Sequence, residues 1–117
     1  MDTNLYFKSD QFGSNSALAK YFFAELKALG LNPEEPKDQD YMFIIKVSIN
    51  DVPVNFYMGK NDEESTPSLW QIWPEQQVSF IKKIFGQVDK NPEEKAKSHL
   101  ESIVNDIKGV SDIEWSI

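Results

Sequence analysis

Apolar residues recur along this chain with two periods, and the switches between them mark out its elements. Leu18, Tyr21, Phe22, Leu26 and Leu29 return every three or four positions, which predicts an amphipathic helix opening at the capping side chains of Ser14-Asn15-Ser16. Gly30 followed by Leu31 supplies a left-handed stop with an apolar residue to fold back on the last turn. Asn32 to Asp38 then reads as a polar, proline-marked loop. From Tyr41 the period becomes two, with Tyr41, Phe43, Ile45, Val47 and Ile49 on one face of a half-buried strand. Asn50-Asp51 stands where a two-residue hairpin turn belongs, because both residues tolerate positive φ. Pairing 49 with 52 sets 47 against 54, 45 against 56 and 43 against 58. All of those partners are apolar, so the register is self-consistent.

A second polar loop, Asn61 to Pro67, leads to a third strand over Ser68 to Trp73 that Pro74 should end. Val78, Ile81, Ile84, Phe85 and Val88 predict a short helix breaking near Gly86. Asn91-Pro92-Glu93-Glu94 joins a cap, a proline at the first helical position and acidic residues in the first turn, ahead of an apolar stripe from Ala96 to Ile107. Gly109 with Val110 repeats the stop seen at Gly30. Asp112 to Ile117 alternates again, as a short strand with Ile113, Trp115 and Ile117 turned inward.

The expected fold class is therefore α+β, a single domain in the order α-β-β-β-α-α-β, with helices packed on one face of an antiparallel meander and the last strand returning to a sheet edge. Asn4-Leu5-Tyr6-Phe7 resembles the core of a protease-cleavage site, with Lys8 where that site has glutamine. Residues 1–13 are accordingly expected to form a flexible N-terminal segment, leaving 14–117 as the globular domain. The order helix, Leu29-Gly30-Leu31, three-stranded meander resembles the front half of type III secretion chaperones over about half the chain. The two helices and single strand that follow depart from that pattern. The resemblance implies a small acidic chaperone or adaptor as one reading.

Composition narrows the chemistry. The 117 residues include 12 lysines and no arginine, no cysteine and a single histidine. Without the planar guanidinium fork a phosphate-gripping site is poorly equipped, and without thiols there is no disulfide, Cys-ligated metal or cysteine nucleophile. His99 has Lys95, Ala96, Ser102 and Ile103 as helical neighbours, so nothing nearby completes a catalytic or ligand set. Asp38-Gln39-Asp40 and Asn61 to Glu64 lack the spacing of a calcium loop. No carboxylate is placed by sequence in an apolar setting that would raise its pKa, which leaves little for a glycosidase-like enzyme. No catalytic residue, cofactor or metal is expected.

The net charge of −7, with 19 acidic residues, disfavours nucleic acid and anionic membranes, which both reward a basic footprint. No apolar run approaches the ~20 residues of a membrane span, and no secretory leader precedes the first helix, so a cytoplasmic location is expected.

Met42, Ile44 and Tyr57 are apolar although they point away from the core face, and one of Trp70 and Trp73 must join them, since the two lie on opposite faces of their strand. Either the first helix or a loop covers this outer surface, or it is an aromatic patch of the kind that anchors interfaces. Acidic groups at Glu34, Glu35, Asp38, Asp62, Glu63 and Glu64 could ring it. The expected partner-binding set is thus Ile44, Tyr57, Trp70 and Trp73 with those six carboxylates. The expected function is a non-catalytic protein-binding module that blocks a basic partner, as bacterial immunity proteins, antitoxins and toxin inhibitors do, acting as a monomer or homodimer.

Overall fold

The computed structural model describes residues 4–76 and 91–116. Its elements are β1 (Asn4–Lys8), α1 (Asn15–Ala28), β2 (Lys37–Asp38), β3 (Phe43–Ile49), β4 (Val52–Lys60), β5 (Leu69–Gln76), α2 (Asn91–Asn105) and β6 (Ser111–Ser116). The helix expected over Val78 to Val88 lies outside the described residues. The strands form one antiparallel six-stranded sheet in the order β2-β3-β4-β5-β1-β6, which bears out the α+β class.

Local chemistry accounts for each boundary. Ser14 caps α1, its hydroxyl accepting from the Ala17 N–H at 3.1 Å. At the other end Gly30 takes φ +85°, its N–H donates to the Lys27 carbonyl and the Leu31 N–H reaches back to the Leu26 carbonyl. That pair of bonds is the Schellman stop, and it needs a residue without a Cβ penalty at position 30. The hairpin joins at Asn50 and Asp51, with φ of 53° and 63°, the mirror-image turn that matches strand twist. Ile49 pairs with Val52, Val47 with Val54, Ile45 with Phe56 and Phe43 with Met58, as the alternation requires. Asn15 then ties helix to sheet: its amide donates to the Tyr41 carbonyl at 3.1 Å and its oxygen accepts from the Lys60 N–H at 2.8 Å.

One layer of core lies between the sheet and both helices. Leu18, Phe22 and Leu26 of α1 and Ala96, Leu100, Ile103 and Val104 of α2 are buried in one cluster with Ile45, Val47, Phe56, Met58 and Ile72. Ile113 and Trp115 of β6 pack against the same cluster, so the inward turn of these two residues and the return of the last strand to the sheet edge hold, while Ile117 lies outside the described residues.

Four expectations differ. Tyr41, expected at the head of the buried strand face, precedes β3 and is 86% exposed. Residues 4–8 are not a loose leader: β1 is inserted between β5 and β6, with Leu5 facing both Ile72 and Trp115, and Leu5 and Phe7 are fully buried. The apolar energy of those two side chains, roughly 1.5–3 kcal/mol each, outweighs the tendency of termini to fray. Pro74 does not end the third strand, which runs on to Gln76 with Pro74 opposite Phe56. Among the described residues β1 pairs with β5 only as far as Ile72, two positions short of Pro74. Finally, Lys37 and Asp38, expected in a loop, add a short edge strand against Ile44 and Phe43.

Candidate functional site: the sheet face opposite α1 and α2

The face of the sheet opposite the helices is set by strand parity. Ile44 pairs with Tyr57 and Tyr57 with Trp73, so these three side chains stand in one row across β3, β4 and β5. The Tyr57 and Trp73 rings stack with centroids 5.3 Å apart and planes 9° from parallel. Such offset aromatic contact fixes both rings and presents a broad, rigid apolar surface at low entropic cost. All three residues are half-buried, and among the described residues both helices pack on the other face. The first helix therefore does not cover this row.

Trp70 has to be removed from the expected interface set. It is 1% exposed, its indole N–H donates to the Ser9 carbonyl at 3.0 Å, and Phe12 meets its ring edge-on at 5.9 Å. The tryptophan that shares the outer surface is Trp73, one parity step away. Trp70 is placed by core packing and by a buried donor that found an acceptor in the segment after β1.

The next positions along the strands extend the face toward β1 and β6. Gly59 pairs with Gln71, Gln71 with Tyr6 and Tyr6 with Glu114. The loop from β4 to β5 borders this end, and with β1 and β6 it encloses an open groove of about 580 Å³. Its described lining includes the carboxylates of Glu63, Glu64, Asp112 and Glu114, the ammonium of Lys8, and the side chains of Tyr6 and Leu69. Lys8 Nζ lies 3.4 Å from Asp112 Oδ2, which offsets one carboxylate and leaves the groove with a negative excess. Asn61 shapes the loop, its side-chain oxygen accepting from the Glu63 N–H at 2.9 Å while its amide donates to Gln71 at 3.0 Å.

The expected acidic residues divide three ways. Glu63 and Glu64 line the groove, whereas Asp62 is exposed on the same loop outside the lining. Glu34 borders a smaller hollow of about 190 Å³ at the far end of the face, with Ile44, Lys37 and Lys46. Glu35 is exposed on the strap leading to β2, and Asp38 pairs with Phe43, on the parity opposite to Ile44. Its carboxylate accepts from the Asp40 N–H at 2.9 Å and so serves the turn. The residues that sequence reasoning missed are Tyr6, Lys8, Asp112 and Glu114. Their signal was the alternation of Tyr6 and Lys8 with Leu5 and Phe7, and of Asp112 and Glu114 with Ile113 and Trp115.

Among the described residues no group of three or more His, Asp or Glu side chains is arranged to hold a metal ion. No described helix is long and apolar enough to cross a membrane. Tyr21 lies on α1 away from this face: burial first, and then the charges of Glu25 and Asp106 and a hydrogen bond to Glu25, push its hydroxyl above its usual value. No protein-family model, curated protein or solved structure matches the chain significantly.

Proposed function

We propose that this chain is a small acidic protein-binding module that engages a basic protein through the face of its sheet opposite α1 and α2 and blocks it, in the manner of an immunity protein, antitoxin or toxin inhibitor. The observation that carries the reading is the coincidence on one face of a stacked Tyr57–Trp73 pair and a groove lined by four carboxylates and one ammonium. Aromatic rings of this kind supply burial at the centre of an interface, and surrounding carboxylates steer a cationic partner and reject anionic ones. The module acts without catalysis, by occupancy. The chaperone-like alternative wants an apolar helix stripe available to a second copy, and the stripes of α1 and α2 are spent in the core.

The test is capture with the purified chain, identification of the bound protein, and a comparison of variants by calorimetry. Trp73→Ala should weaken binding at least tenfold, since truncating a central aromatic anchor costs about 2 kcal/mol or more. The triple replacement of Asp62, Glu63 and Glu64 by lysine should slow association and flatten its salt dependence. A partner that is acidic, or binding that survives both variants, refutes the proposal.

A further inference from the structure

The two edges of the sheet are treated differently by the chain. At one edge β3 is shielded: β2 pairs with its first two residues, and the strap before β2 donates the Glu34 N–H to the Lys46 carbonyl at 2.9 Å. At the other edge β6, six residues long, pairs with β1 alone among the described residues. In a regular antiparallel pair alternate residues point their N–H and C=O groups away from the neighbouring strand; β6 is regular over Glu114–Ser116, breaks register near Asp112 (φ 51°), and has no described strand on its outer side. The acidic groove lies along this same edge, since Asp112, Glu114 and Ser116 of β6 belong to its lining.

We propose that the outer edge of β6 accepts an extended segment of the basic partner as an added strand, with alternate lysine or arginine side chains of that segment lying over Glu114, Asp112, Glu63 and Glu64. The inference rests on the proposed function above and specifies how that partner is held. Main-chain hydrogen bonds supply affinity in strand addition, and the side chains of one parity supply selectivity. Charge decides the occupant. A second copy of the chain pairing β6 to β6 about a two-fold axis at Glu114, in the regular part of the strand, would set Glu114 against the Glu114 of its mate, and like charges directly opposite are destabilising. A segment with cations at alternate positions converts that clash into a favourable cross-strand pair. The carboxylate that deters self-association thus selects a basic strand.

The probe is a synthetic peptide of alternating lysine and threonine, compared with the same peptide N-methylated at alternate residues so that one edge can no longer donate. Hydrogen exchange of β6 amides and binding by calorimetry are read together, on the wild-type chain and on Glu63→Lys/Glu64→Lys. The expected result is slowed exchange confined to alternate amides of Ser111–Ser116, loss of binding on N-methylation, and a roughly tenfold weakening by the double charge reversal, the sum of two modest ion pairs. If the peptide binds and responds to charge reversal but β6 amides do not slow, or the N-methylated peptide binds equally, strand addition is overturned while the acidic-face reading stands. Binding indifferent to the charge reversal, or none at all, overturns both. Dimerisation of the chain alone with protection of β6 overturns the choice of occupant.

Discussion

Replacing Phe7 by alanine tests the architecture at the point where it departs most from expectation. Phe7 is fully buried, faces Trp70 across the β1–β5 ladder and belongs to the single core cluster. Truncation of a buried phenylalanine costs about 3–5 kcal/mol, the lost transfer energy plus the cavity left behind. A domain of this size is stable by only about 5–15 kcal/mol, so the variant should remain folded with much of its margin gone. At a urea slope of about 1.5 kcal/mol per molar the unfolding midpoint should fall by roughly 2–3 M. Tyr6, one residue earlier on the outer face, serves as the internal control: Tyr6→Ala should cost about 1 kcal/mol or less. Urea titration followed by tryptophan fluorescence reads both. A midpoint change under about 0.5 M for Phe7→Ala, or equal changes for the two variants, would show that residues 4–8 are not the inner strand described above.

Two further outcomes follow from single side chains. Trp70→Phe should destabilise by at least about 1–3 kcal/mol in the same titration, because the Ser9 carbonyl loses the indole donor and stays buried, while partner binding by the folded protein is unchanged. Tyr21 is held neutral by burial and by Glu25 and Asp106, so its folded pKa lies above the unfolded value of about 10. Its contribution is complete below that value and is lost as pH rises through the folded pKa, because the unfolded chain releases the proton first. Tyr21→Phe should therefore flatten the alkaline fall in stability, measured by denaturant midpoints across that range.

Much of this fold could be read from local pattern. The hairpin register followed from parity alone, since a one-residue slip would have put Val54, Phe56 and Met58 in water. Both glycine stops were legible because Gly30 and Gly109, at φ +85° and +71°, are positions where the backbone itself dictates the residue. What escaped was non-local. β1 is five residues long, and nothing adjacent in sequence explains its burial, because its partners β5 and β6 come far later in the chain. That omission propagated to the site. Strand parity separated Trp70 from Trp73 but could not say which faced inward, and the Ser9 carbonyl that accepts from Trp70 lies just beyond the overlooked strand. The outer row of Ile44, Tyr57 and Trp73 was recoverable from the hairpin, whereas the groove required Tyr6, Lys8 and Glu114 to be brought together by β1.

The insertion of β1 between β5 and β6 also sets an order of events in folding. The β3–β4–β5 meander closes through short loops and can form early, but Leu5 has no sheet partner until Ile72 is available, and Trp115 has none until Leu5 is seated. During synthesis the apolar positions of β1 must wait, unpaired, while most of the chain emerges, a period in which they are open to wrong partners. The groove and the β6 edge beside it are then the last parts of the molecule to exist. The surface proposed for binding therefore exists only in the completed sheet.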